Sequence, residues 1–67
     1  MIKVQKIEKL GNGRWNLHFE SATDAEIVLR EARKRDLDVE ASDNITSIGV
    51  NSHHAYKALF DKNIIMK

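Results

Sequence analysis

Two stretches of this 67-residue chain change their side-chain period in the same order. Along Trp15–Ser21, apolar Trp15, Leu17 and Phe19 alternate with Asn16, His18 and Glu20. The spacing then becomes helical over residues 22–35, and Leu37, Val39 and Ala41 alternate again. The second passage runs from Thr46–Ser52 through a helical stretch at 53–61 to Ile64-Ile65-Met66. A side-chain repeat of two belongs to a strand and one of 3.6 to a helix. The chain is therefore restricted to two strand–helix–strand units, each entering its helix through an apolar residue, a polar residue and a serine.

Ahead of the first unit, Ile2–Leu10 reads as an irregular strand. Ile2 and Val4 share a parity that Ile7 does not, and a bulge near Lys6 would reconcile them. Gly11-Asn12-Gly13 is a hairpin signal, because its residues tolerate positive φ. The element order is thus ββαββαβ, an α+β class with a mainly antiparallel sheet and two helices on one face. Its last six elements follow the ferredoxin-like, split βαβ order. That order conflicts with the hairpin. The strand over 14–20 would need both the N-terminal strand and the C-terminal one at the same edge. Either the C-terminal strand pairs outside the N-terminal one, or it stays out of the sheet.

The expected core comprises Trp15, Leu17 and Phe19, the helical arc Ala22, Ala25, Val28, Leu29 and Ala32, then Ile48, Val50, Ala55, Ala58 and Leu59. Ser21 is a candidate N-cap with Asp24 three residues on, and Thr23 with Glu26 is the alternative capping box. Asn63 suits the end of the second helix. Residues 1–67 have room for one small core only. With 42% hydrophobic and 31% charged residues, the composition is that of a folded domain. There is no cysteine, so disulfides and thiolate metal sites are excluded. No apolar run spans a membrane, Met1-Ile2-Lys3-Val4-Gln5 is no signal peptide, and a soluble cytoplasmic protein is expected.

Net charge is +1, yet the charges are segregated. Lys3, Lys6, Lys9 and Arg14 face only Glu8 in the first 19 residues, whereas 37–51 hold only Asp38, Glu40 and Asp43. Adjacent His53 and His54 point about 100° apart on a helix, so they do not chelate one metal as an i,i+4 pair would. Ser21 and Ser52 have sufficient roles as caps. No catalytic residue, metal ligand or cofactor site is nominated, and the chain is read as a non-enzyme.

Two surfaces carry the functional expectations. Ile27, Ile45 and Ile65 fall out of phase on their elements, and His53, Tyr56 and Phe60 follow i, i+3, i+7 spacing. Together they suggest a protein-contact patch with an aromatic rim, although Tyr56 and Phe60 also suit a seal at the core edge. The leading expectation is therefore a small interaction module, regulatory, inhibitory or adaptor-like, binding a protein partner or itself, in the style of a bacterial or phage regulator. The alternative is nucleic-acid binding through Lys3, Lys9, Arg14, Asn16 and His18 on one sheet face, assisted by Arg30, Arg33 and Lys34. Against it, outward stacking aromatics are missing from that face. Local pairing of Glu26 with Arg30, and of Glu31 with Lys34 and Arg35, also accounts for the helix-end cations.

Overall fold

A computed structural model describes all residues from Met1 to Lys67. The strands are β1 (Ile2–Lys3), β2 (Lys6–Leu10), β3 (Arg14–His18), β4 (Val39–Ala41), β5 (Ser47–Val50) and β6 (Ile65–Met66). The helices are α1 (Ala22–Lys34) and α2 (His53–Asp61). Strands β2, β3, β5 and β4, in that spatial order, form an antiparallel sheet, and β1 pairs with β6 in a separate parallel ladder. The fold is α+β with the order ββαββαβ when β1 and β2 are counted as one divided N-terminal strand, and both helices pack on one face of the four-stranded sheet.

The edge conflict is resolved by dividing the N-terminal strand between two partners. The Ile2 and Val4 amides donate to the Ile64 and Met66 carbonyls, at 3.1 and 2.8 Å. The Gln5 amide donates instead to the His18 carbonyl at 2.8 Å, although Lys6 is the register partner of His18. Two residues opposing one is a β-bulge, and it lies where the parity of Ile2, Val4 and Ile7 requires it. The split βαβ arrangement keeps β3-β5-β4, but β2 takes the place beside β3 and β6 lies outside.

Both helices begin and end alike. Ser21 Oγ accepts from the Asp24 amide at 3.1 Å, and Ser52 Oγ accepts from the Ala55 amide at 3.0 Å. At the other ends, Asp36 and Asn63 adopt positive φ, 55° and 58°. The Leu37 and Ile64 amides then reach back to the carbonyls of Ala32 and Leu59, both at 3.0 Å. This Schellman geometry satisfies carbonyls at the helix ends and turns a buried aliphatic residue under each last turn. In the β2–β3 hairpin, Asn12 and Gly13 both take positive φ.

Fifteen buried apolar residues form one cluster between sheet and helices, with Leu17, Val28, Ile48, Val50, Leu59 and Ile65 fully enclosed. Each such side chain contributes about 1.5–3 kcal/mol, set against about 1–2 kcal/mol of backbone entropy for every residue ordered. The expected inward residues of β3, β5 and α2 are all in this cluster. Ile65 is a correction: it is 1% exposed and belongs to the core, not to a contact patch. Neighbouring Ile64 is buried as well, whereas Met66 is exposed. Within β6, Ile65 faces the core and Met66 faces solvent, while Ile64 precedes the strand and is enclosed as the residue turned under the end of α2.

Candidate functional site

The sheet face turned away from the helices is polar and neutralised from within. Register places Lys6, Glu8, Arg14, Asn16, His18, Gly49 and Glu40 on it. Arg14 donates through Nε to Asn51 Oδ1 at 3.2 Å and through a terminal nitrogen to Glu40 Oε1 at 3.1 Å. Asn51 Nδ2 in turn donates to Asp38 Oδ1 at 3.4 Å. His18 Nε2 stands 3.1 Å from Glu8 Oε1. Hydrogen bonds from His18, then Asn16, hold the Glu8 carboxyl below its ordinary pKa, with the charges of Lys6 and His18 adding to that effect.

The expected basic face is therefore corrected in its membership. Lys9 pairs with Trp15, which puts it on the opposite side of the sheet from Arg14, Asn16 and His18. Lys3 lies in the separate β1–β6 ladder. The remaining cations alternate with Glu8 and Glu40.

The aromatic trio assembles, but around the core. Tyr56 stacks on Trp15 with centroids 4.4 Å apart and planes at 12°. Phe60 meets Tyr56 edge-on at 5.3 Å, and His53 is tilted against Trp15 at 5.8 Å. Because one face of Tyr56 is occupied by the buried indole, it closes the edge of the core. No three His, Asp or Glu side chains converge in a group able to hold a metal ion.

Of the three out-of-phase isoleucines only Ile45 remains a strong surface feature. It is 75% exposed, Ile27 is half-buried, and neither Ile27 nor the aromatic trio lines the groove in which Ile45 sits. That groove, about 330 Å³, runs between the outer side of α1 and the β4–β5 turn. Ala22, Leu29, Ala41 and Ile45 supply its apolar walls. Glu26 and Leu29 also line a second concavity that continues along α1 past Arg30, Arg33 and Lys34. The helical wheel places Leu29 wholly in the core, but it is half-buried and shared between core and groove.

The groove adjoins an open sheet edge. The Asn51 amide donates to the Asp38 carbonyl, so in this register Asp38 and Glu40 direct their backbone groups toward β5. Val39 and Ala41 direct theirs outward. The Val39 amide is occupied by the Leu37 carbonyl at 2.9 Å. That leaves the Val39 carbonyl and both groups of Ala41 facing the edge, and such an edge is a template for another strand.

Beside it, the expected pairs of Glu31 with Lys34 and Arg35 form at 3.2 and 3.1 Å. Glu26, Arg30 and Arg33 have no ion-pair partner within 4.0 Å.

Comparison with protein families, with curated proteins and with solved structures finds no match to this chain.

Proposed function

We propose that this chain is a non-enzymatic protein-interaction module, regulatory, inhibitory or adaptor-like, acting in the cytoplasm through the flank formed by α1, the β4 edge and the Ile45 turn. The observation that carries the reading is Ile45 itself. A large aliphatic side chain stands three-quarters exposed over a groove that continues into an unpaired strand edge. Covering Ile45 and the half-exposed Leu29 removes apolar area from water at about 25 cal/mol per Å². The strand edge adds directional hydrogen bonds to that non-directional attraction.

Ile45→Asp tests the reading, since an exposed turn position away from the core shifts stability by about 0.5 kcal/mol or less. Affinity capture from the native cell, followed by nuclease treatment, is expected to retain a protein partner with the wild-type chain and lose it with the variant. Capture that disappears on nuclease treatment, or that ignores Ile45→Asp, contradicts the proposal and favours the nucleic-acid alternative or another surface.

A further inference from the structure

We infer that the occupant of this flank is a second copy of the chain, docked about a two-fold axis so that β4 pairs antiparallel with β4 and α1 packs antiparallel beside α1. The inference rests on the function proposed above and names the partner at that same surface.

The outer side of α1 is complementary to itself. Glu26 and Arg33 are seven residues apart, two helical turns, and therefore lie on one line along the helix. Leu29 and Arg30 straddle the midpoint of that line. A two-fold axis through the midpoint brings Glu26 of each copy to Arg33 of the other and sets the two Leu29 side chains together at the centre. Neither Glu26 nor Arg33 has a partner within its own chain, unlike Glu31, Lys34 and Arg35 on the same helix. An isologous interface requires a patch of this kind, in which opposite charges exchange places across the axis.

The strand edge obeys the same symmetry. With the axis through Glu40, Val39 opposes Ala41 of the other copy, and the outward Ala41 amide of each meets the outward Val39 carbonyl of the other. The two Glu40 side chains then face one another on the polar side, each already held by its own Arg14 at 3.1 Å. Pairing at about 4.8 Å between strands would extend the four-stranded sheet continuously across both copies. It also leaves the α1 helices side by side at about the 8–10 Å spacing of packed helices.

Three-residue β4 is too short to support association alone. A stable interface takes about 800 Å² from each partner, roughly a fifth of this molecule's 4240 Å² surface. Both the helix contact and the Ile45 turn are therefore required.

Sedimentation equilibrium of the wild type, Glu26→Arg, Arg33→Glu and the double charge swap tests the inference, with circular dichroism confirming that each remains folded. The wild type is expected to dimerise. Either single swap should weaken the dimer at least tenfold, and the double swap should restore it. A wild type that stays monomeric to millimolar concentration overturns the inference, as does a dimer indifferent to both single swaps or a double swap no better than the singles. If the chain is monomeric while capture still depends on Ile45, the second-copy inference falls and the proposed function stands. If neither dependence appears, both fall.

Discussion

Glu40 crosses β5 over Gly49, with its Cγ 3.1 Å from the point that a Cβ on Gly49 would occupy. The missing side chain gives Glu40 a shallow slot leading from β4 to Arg14 on β3. The close approach at Gly49 is by a side chain of the neighbouring strand. Substituting Ala for Gly49 sets two small effects against each other. Restricting the unfolded chain favours the variant by about 0.5–1 kcal/mol. Displacing Glu40 weakens an exposed ion pair worth about 0–1 kcal/mol. Chemical denaturation should therefore show a stability change within about 1 kcal/mol, while a double-mutant cycle between Arg14 and Glu40 loses its coupling in the Gly49→Ala background. Coupling that survives would mean the slot is unnecessary.

Asp36 and Asn63 hold the left-handed conformation that ends each helix. Glycine accepts that conformation without strain, and a β-branched residue does not. Asp36→Gly and Asn63→Gly should leave thermal stability equal or slightly raised. Asp36→Val and Asn63→Val should each lower it by about 1–2 kcal/mol. Equal effects of Gly and Val at either site would contradict the assigned cap geometry.

Two carboxylates make the acid limb of stability predictable. Hydrogen bonding from His18 and Asn16 lowers the pKa of Glu8, and hydrogen bonding from Arg35 and Lys34 lowers that of Glu31. A folded-state pKa below the unfolded one gives stabilisation that is present above the unfolded value and lost as pH falls through the folded value. The loss should begin near the ordinary glutamate value of 4.5 and continue below it. Glu8→Gln and Glu31→Gln should each flatten the stability profile in that acid range. Unchanged acid limbs in both variants would contradict the hydrogen-bond assignments.

The parallel stack of Tyr56 on Trp15 supplies a spectroscopic test. Tyr56→Leu keeps much of the apolar volume but removes the ring contact, worth about 0.5–1.5 kcal/mol beyond area burial. It should destabilise the chain by about that amount and change the near-ultraviolet circular dichroism of the only tryptophan. A spectrum identical to wild type would contradict the stack.

Local chemistry made much of the fold legible. Period changes located both helices, parity demanded the bulge at Gln5-Lys6, and serine positions marked the N-caps. Asn63 could be read as a helix end. Its counterpart Asp36 is less legible, because aspartate takes the left-handed conformation less readily than glycine and follows a basic run that itself suits a helix C-terminus. The contact surface was less legible because parity depends on register. A single register places Lys9 on the face opposite Arg14, Asn16 and His18, and that register follows from the turn type and length of the hairpin loop, not from the strand residues themselves. Ile65 differs for a related reason: β6 alternates with Ile65 toward the core and Met66 toward solvent, and Ile64 is enclosed by the turn at the end of α2 before the strand begins. The groove around Ile45 arises from α1, β4 and the β4–β5 turn meeting in space, and its helical wall, Leu29, reads as ordinary core.

Amide hydrogen exchange at Ala41, measured from micromolar to millimolar protein, tests the assigned surface most directly. The Ala41 amide faces the open β4 edge, while that of Lys9 faces the opposite edge of the sheet and serves as the internal control. Ala41 is expected to become at least tenfold slower to exchange as concentration rises, with Lys9 unchanged. An Ala41 amide that exchanges equally fast throughout, or one that slows only in step with Lys9, would contradict the pairing of β4 with a second copy.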